Sequence, residues 1–308
     1  MALSPMMSKY LETKNEHPDC ILFYRLGDFY EMFFEDAKLV AKELELTLTG
    51  KDCGLEERAP MCGVPYHAAE SYLNRLVEKG YKIAIAEQVE DPKLAKGLVK
   101  REVVRIVTPG TLTGAGILDD DRNNYIISIF YIDERFGLAI CDVSTGDFFA
   151  TELSTKRELI DEIQKYQPRE IICNHTFEIS GISLEDMKKK YNITITSLDS
   201  SYFNERSGTE ILKSHFHISS IEALGLLEFN DATIASGAML RYLYDMQKNS
   251  CAQIVGIGTY KNGDYMVVDT SSRRNLELVE TMREKKKNGS LLGVLDKTNT
   301  AMGARMRL

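Results

Sequence analysis

Two side chains near the start of the chain, Phe29 and Glu31, have types and spacing suited to recognition chemistry: a ring face that can stack and a carboxylate that can accept a hydrogen bond. Taken alone, the ring reads as a staple into a core and the acid as a first-turn residue favoured by the helix dipole. Other constellations are weaker. No GxxxxGK[ST] occurs, and the glycine cluster Thr113-Gly114-Ala115-Gly116 has no lysine after it, so the groups that hold phosphates and Mg²⁺ are missing and ATP hydrolysis is not expected. Asp142, Asp147 and Glu152 are the only carboxylates placed for a two-metal nuclease, and water-facing strand acids are the reading adopted for them. His17, His67, His175, His215 and His217 lack partners at triad or zinc spacing. The expectation is a binding protein with no catalytic residue and no metal site.

The elements that must position Phe29 and Glu31 follow from periodicity. The apolar run Cys20 to Leu26 predicts a buried strand, Gly27 and Asp28 a turn, and Phe33, Ala37, Val40, Ala41 and Leu44 fall on one face of a helix. Phe29 and Glu31 are then expected at the turn before that helix, with Phe33 on its inward stripe. Ser4-Pro5 opens an earlier helix as N-cap and first helical residue. The stretch from TLTGK to Pro60 reads as irregular. Tyr66 to Lys79 is predicted helical with Leu73, Leu76 and Val77 inward, Tyr81 to Val89 and Glu102 to Val107 as strands, and a short helix after Asp91-Pro92.

Further along, YIISIFYI, FGLAICDVS and GDFFATEL read as three strands in consecutive hairpins. A helix at Lys156 to Tyr166, a strand at Glu170 to Cys173 and helical stretches at Leu184 to Tyr191 and Ile221 to Gln247 follow. Three antiparallel strands and then alternating helix and strand is a ribonuclease H-like order. Asp269 or Thr270 is expected to cap a helical run containing Leu276, Val279 and Met282, and Ser290 to open another. The polar, acidic stretch Thr111 to Asn124 reads as a linker between domains, Asp119 to Asp121 included.

The chain has 308 residues, a net charge of −8 and 44% apolar residues, enough for more than one core. No apolar run approaches membrane-spanning length and no signal segment is evident, which predicts a cytoplasmic protein. The six cysteines form no CxxC pair and read as buried reduced thiols. Charge is unevenly spread: residues 113–245 carry 12 basic and 22 acidic residues, whereas residues 246–308 carry 11 and 6. The middle segment is the least suited to bind phosphates and the best suited to be a spacer or a surface for proteins. The lysine runs 188–190 and 285–287 read as solvated helix faces.

Five phrases, in order, carry a family resemblance: GDFYEMF, APMCGVPYHAAESYLNRLVEKGYKIAIAEQVEDP, KREVVRIVTPGT, DTSSRRNLEL and GSLLGVLDKTNTAMGARM. Together they resemble the bacterial MutS DNA mismatch-repair proteins nearly from end to end. The resemblance implies an α/β fold: a mixed α/β mismatch-recognition domain over 1–112, a linker at 113–124, a ribonuclease H-like connector over 125–250, and the first helices of an α-helical core over 251–308. The chain ends Met306-Arg307-Leu308 where the family pattern has Met-Leu-Arg, and reads as an N-terminal fragment.

By the same resemblance Phe29 and Glu31 match a Phe-x-Glu pair that reads mismatches, and Leu26 stands where a supporting apolar residue is often Met. Lys51 and Arg101 match basic positions near the DNA backbone; at 51 arginine also occurs, and a lysine keeps the charge but not the bidentate geometry. The implied partners are mismatched duplex DNA and, through the acidic connector, a MutL-like protein. ATP and Mg²⁺ belong to the full-length family and no cofactor is expected for these residues. Dimer contacts come mainly from the family's ATPase region, so a monomer is expected.

Overall fold

A computed structural model of the chain describes residues 3–90, 97, 99–112, 123–261, 268 and 270–300. It divides into two compact units, Met1–Ile117 with Tyr244–Asn249, and Leu118–Leu243 with Ser250–Leu308. Of the expected linker Thr111 to Asn124, residues 113–122 lie outside the described residues, and Thr111 is buried in a 3-10 turn with Thr108 and so is not a solvated linker residue. The short helix after Asp91-Pro92, the Asp269 cap and the chain end at Met306-Arg307-Leu308 also lie outside the described residues.

The first unit opens with helix α1 (Pro5–Glu16), whose N-cap Ser4 accepts a hydrogen bond from the Met7 amide. Strand β1 (Cys20–Leu26) and β2 (Phe29–Phe33) pair antiparallel with Leu26 opposite Phe29, so Gly27 and Asp28 form a two-residue hairpin turn. Gly27 supplies the positive φ, 60°, that such turns need at their first central position. Helix α2 (Phe34–Leu44), β3 (Thr49–Lys51), β4 (Ala59–Pro65), α3 (Ala69–Glu78), β5 (Lys82–Gln88) and β6 (Arg101–Val107) complete the unit. The sheet order is β3-β4-β2-β1-β5-β6, antiparallel throughout except for the parallel pair β1 and β5.

Alternation along the strands divides the core in two. Ile21, Phe23, Tyr30, Met32, Val64, Ile83 and Ile85 pack with Ala37, Val40 and Leu44 of α2 and with Leu73, Leu76 and Val77 of α3. Leu22, Tyr24, Phe33, Ala59, Ala84, Ala86 and Ile106 pack with Met7 and Tyr10 of α1. Asp36, nearly buried, ties α2 to the opposite layer: its carboxylate accepts from the Leu22 amide at 2.9 Å and pairs with Lys14 at 2.9 Å.

Two expectations need correction here. Phe29 to Phe33 is a strand, and Phe33 does not join the stripe of α2. Residues 29, 31 and 33 share one face of β2, so Phe33 is sent to the α1 side, where its ring meets Tyr10 edge-on at 4.9 Å. The stretch from TLTGK to Pro60 is irregular only in part: Thr49–Lys51 adds to β4 as the edge strand of the sheet, and residues 52–58 form neither helix nor strand.

The second unit has β7 (Tyr125–Ile132), β8 (Arg135–Asp142) and β9 (Asp147–Leu153) in antiparallel succession, then α4 (Lys156–Tyr166), β10 (Glu170–Asn174), α5 (Leu184–Tyr191), β11 (Thr194–Leu198), α6 (Glu205–Phe216), α7 (Asn230–Gln247, of which residues 244–247 belong to the first unit) and the short β12 (Gly258–Thr259). The order β11-β10-β7-β8-β9-β12, with β10 parallel to β7 and β11 parallel to β10, is the ribonuclease H-like arrangement. Ile127, Ile129, Leu138 and Ile140 pack against Leu159 and Ile163 of α4 and Met187 of α5. Glycines permit the close approaches of α7: a Cβ at Gly137 would lie 2.1 Å from the Asp231 backbone, and one at Gly237 would lie 2.3 Å from the Gly208 backbone of α6. The predicted helix Ile221 to Gln247 is broken, since Gly225 at φ 70° ends a 3-10 turn before α7 begins.

After α7 the helices α8 (Thr270–Asn275) and α9 (Leu291–Leu295) are short. The expected run through Val279 and Met282 does not form. Glu277 takes a left-handed conformation, and Leu276 and Met282 are exposed, so no packed face offsets the cost of a longer helix. Ser290 does cap α9, accepting from the Gly293 amide.

The carboxylates considered for a nuclease do not all face water as expected, since Asp142 does not, and each has a structural partner. Asp142 is fully buried and accepts from the amides of Asn124 and Ser144 at 2.9 and 2.8 Å; Glu152 accepts from the Asp231 and Ala232 amides at the start of α7; Asp147 accepts from the Thr145 hydroxyl. All six cysteines are buried free thiols, and burial pushes those of Cys20, Cys62 and Cys173 up to about 12, which keeps them as unreactive thiols.

Three substitutions check this packing, two by chemical denaturation and one by thermal melting. Phe33→Ala removes a buried ring and is expected to cost about 3 to 5 kcal/mol, whereas Phe29→Ala is expected to stay within about 0.5 kcal/mol. Gly237→Ala forces α6 and α7 apart and is expected to lower the melting temperature of the second unit by several degrees or more.

Candidate nucleic-acid interface

The five residues singled out from the sequence, Leu26, Phe29, Glu31, Lys51 and Arg101, fall on one sheet of the first unit and on one face of it. Register and alternation place them there: Leu26 continues the face of Leu22 and Tyr24, Phe29 and Glu31 continue that of Phe33, Lys51 is level with Ala59, and Arg101 shares the side of Val103. Phe29 begins β2 directly after the hairpin turn. It is 46% exposed, although it sits in a central strand. Leu26, opposite it, is half-buried and packs on the α1-side core, so it supports the base of the ring.

Glu31 is the next residue on this face. Its neighbours across the sheet are Tyr24 on β1 and Gly63 on β4. Gly63 presents no side chain, which leaves a lane across β4 toward the edge strand. Lys51 reaches along it: its Nζ lies 2.5 Å from Glu31 Oε2 and 5.6 Å from the centroid of the Phe33 ring. The pair is partly shielded, the two side chains being 33% and 16% exposed.

Arg101 is more committed. Its Nε donates to the Arg25 carbonyl at 2.6 Å, its Nη1 to the Val99 carbonyl at 2.8 Å, and its guanidinium lies 5.2 Å from the Tyr24 ring centroid. Burial raises the Tyr24 hydroxyl above its ordinary range in spite of that cation.

The opposite face of the hairpin is held by residues that sequence reasoning missed. The Arg25 guanidinium stacks 3.7 Å over the Tyr66 ring, its Nε donates to the Gly27 carbonyl at 2.5 Å, and its Nη1 lies 3.7 Å from Glu87. The Tyr30 hydroxyl donates to Glu87, and burial first, then this carboxylate, push it up to about 12. The Tyr66 amide donates to the Asp28 carbonyl at 2.9 Å. The turn before Phe29 is therefore clamped at both of its residues. Tyr66 is itself 48% exposed, a second accessible ring near the hairpin tip. Its position after Val64-Pro65 was read only as a helix opening; no local signal links it to Arg25.

This arrangement can stack an apolar ring against a flat partner, present a carboxylate two residues away on the same side, and offer cationic groups beside it. Among the described residues no group of three or more His, Cys, Asp or Glu side chains is placed to hold a metal ion, and no helix is long and apolar enough to cross a membrane.

Comparison with known proteins bears on the chain as a whole. The family model for MutS domain I matches residues 4–115, that for MutS domain II residues 124–255, and that for MutS domain III residues 271–306. The DNA mismatch repair protein MutS of Lachnoclostridium phytofermentans is 57% identical over 304 residues, covering 99% of this chain and 33% of the relative. Those of Ruminiclostridium cellulolyticum and Acetivibrio thermocellus are 52% and 49% identical over 307 residues, each with 99% of this chain and 35% of the relative covered. The chain thus spans about a third of the length of the curated relatives it matches. With the α/β first unit, the ribonuclease H-like second unit and the three domain matches in one order, the chain belongs to the MutS family.

Proposed function

We propose that this chain recognises mismatched or unpaired bases in duplex DNA, with Phe29 inserted at the base step and Glu31 reading the displaced base. The observation that carries the reading is the placement of Phe29 and Glu31 two residues apart on one strand, projecting from one face beside a clamped turn. Membership in a family whose relatives are named for mismatch repair supports it.

A ring driven between base pairs must unstack a step, at a cost of a few kcal/mol in sound duplex and less where pairing is already poor. Stacking on the ring returns about 1 to 3 kcal/mol, so the balance is favourable chiefly at the weakened step. A rigid support matters because a loosely held ring would spend part of that gain on being ordered. Glu31 can accept a hydrogen bond from a thymine or guanine ring N–H, while against intact duplex its charge meets phosphates and repels. Lys51 supplies a cation for the backbone. Arg101, with two donors already bound to carbonyls, contributes charge more than new hydrogen bonds. The reading calls for no cofactor and no catalysis by these residues.

A second reading concerns the other unit. Residues 113–245 carry 12 basic and 22 acidic residues, and Ile179 and Leu227 are 82% and 61% exposed. An excess of acidic residues together with bare apolar side chains suits a protein partner, and a MutL-like protein is the one the family suggests. Binding of such a protein to the chain, weakened by Ile179→Arg, supports this; binding unaffected by the change counts against that surface.

The main reading is tested by fluorescence anisotropy with matched and single-mismatch duplexes. Phe29→Ala is expected to lose the mismatch preference, about 5- to 150-fold for a stacking energy of about 1 to 3 kcal/mol, with a melting temperature near that of the parent chain. Glu31→Ala is expected to strengthen matched-duplex binding and narrow discrimination. Both affinities are expected to fall steeply as salt rises, in keeping with phosphate contacts. A mismatch preference that survives Phe29→Ala in a folded protein defeats the reading.

A further inference from the structure

The carboxylate of Glu31, which on its own would repel intact duplex, is joined to a lysine. Lys51 sits on the edge strand β3, two strands from β2, and its ammonium lies 2.5 Å from Glu31. Three features make the contact a built one. Gly63, opposite Glu31, keeps the lane over β4 open; a Cβ there would come within 3.3 Å of the Tyr30 carbonyl and 3.5 Å of Glu31 Cγ. The lysine ammonium lies 5.6 Å from the Phe33 ring, whose position is fixed by Tyr10. Thr49, the neighbour of Lys51 on the same face, donates to the Met61 carbonyl and holds β3 in register.

Resting on the proposed role of Glu31, we propose that Lys51 sets mismatch specificity through Glu31: in the free protein and on intact duplex it neutralises the carboxylate, and at a mismatch it yields that carboxylate to a base N–H and turns to a phosphate. The physical basis is an exchange of partners. A partly exposed ion pair is weak and opens at little cost, and a lysine on a flexible stem can swing between two anions without moving its strand. While the pair is closed, phosphates approaching the hairpin face a nearly neutral group. When a displaced base offers an N–H donor, Glu31 gains a charge-assisted hydrogen bond in its place, and the freed ammonium gains a backbone contact. No covalent bond is made or broken and no proton need move. Lys51 is thereby a positioning and specificity residue, distinct from a plain phosphate contact because its effect passes through Glu31.

That distinction is measurable as a double-mutant cycle, with affinities for matched and mismatched duplex taken by anisotropy at low salt, about 50 mM. Lys51→Met keeps an apolar stem by the Phe33 ring and removes the charge. It is expected to bare Glu31 and weaken matched-duplex binding more than mismatch binding, raising the discrimination ratio by about threefold to tenfold. In the Glu31→Gln background the same change is expected to lower both affinities alike, leaving the ratio within about twofold. Lys51→Arg is expected to hold the ratio near that of the parent chain. Melting curves confirm that each variant is folded, and Lys51→Gln repeats the test should Lys51→Met unfold the first unit. A ratio that is unchanged or lower with Lys51→Met, or one that rises equally in both backgrounds, overturns the proposal. Phe29→Ala separates the two levels: if it abolishes the mismatch preference while Lys51→Met leaves the ratio unaltered, the wedge reading stands and only the role of Lys51 falls. If the preference survives Phe29→Ala, the functional reading itself fails.

Discussion

The antiparallel pairing of β1 with β2 through the turn Gly27-Asp28 is the constraint on which the first unit depends. A two-residue turn fixes the register with no slack, because a slip of one residue would exchange the faces of every side chain on β2. With Leu26 opposite Phe29, residues Tyr30 and Met32 are committed to the core under α2 and α3, and Phe29, Glu31 and Phe33 to the other side. Phe33 is deep enough to be covered by Tyr10, whereas Phe29, at the turn, is left exposed. One alternation thus produces a buried ring, a half-buried acid and an exposed ring in successive positions of the same face.

Exposure of a large apolar side chain in a central strand carries a cost, and the surroundings are arranged to keep the ring in place. Arg25 joins the Gly27 carbonyl, Glu87 and the Tyr66 ring, and Tyr30 meets Glu87 from the same strand as Phe29. These contacts are polar and lie on the face away from Phe29, so they hold the backbone without covering the ring. Asp36 plays a comparable part deeper in the unit, where a nearly buried carboxylate is satisfied by a strand amide and by Lys14 of α1. Rigidity at the tip therefore rests on hydrogen-bonded charges on the face away from the ring.

In the second unit the same chemical groups serve architecture. The acids at the ends of β8 and β9 accept backbone amides at a turn and at the start of α7, and glycines at 137 and 237 let helices approach to backbone contact. A ribonuclease H-like sheet brings carboxylates to strand ends whatever its use. Here their partners account for them, which is why fold analogy alone was a poor guide to chemistry in this unit.

Much of this was fixed by local sequence. Ser4-Pro5 set the start of α1, the apolar stripes set α3, α4 and α5, and hairpin spacing set β7 to β9, since caps, turns and periodicity act over a few residues. The phrases from GDFYEMF to GSLLGVLDKTNTAMGARM were enough to place the family, and the Phe-x-Glu spacing was visible without a structure. What the sequence left undecided was the shape of that spacing. FYEMF is five residues long, and Phe33 fits a two-residue alternation and the helical stripe of α2 equally well. Only pairing with β1 and β4 resolves the choice, because strand formation draws on partners distant in sequence whereas a helical pattern is complete in itself. For the same reason β3 was missed, three residues being too few to show a pattern without β4 beside them. The meeting of Lys51 with Glu31 across 20 residues, and of Arg25 with Tyr66 and Glu87, belongs wholly to the tertiary structure. A charge in a sequence has no partner until the sheet register brings one within a few ångströms.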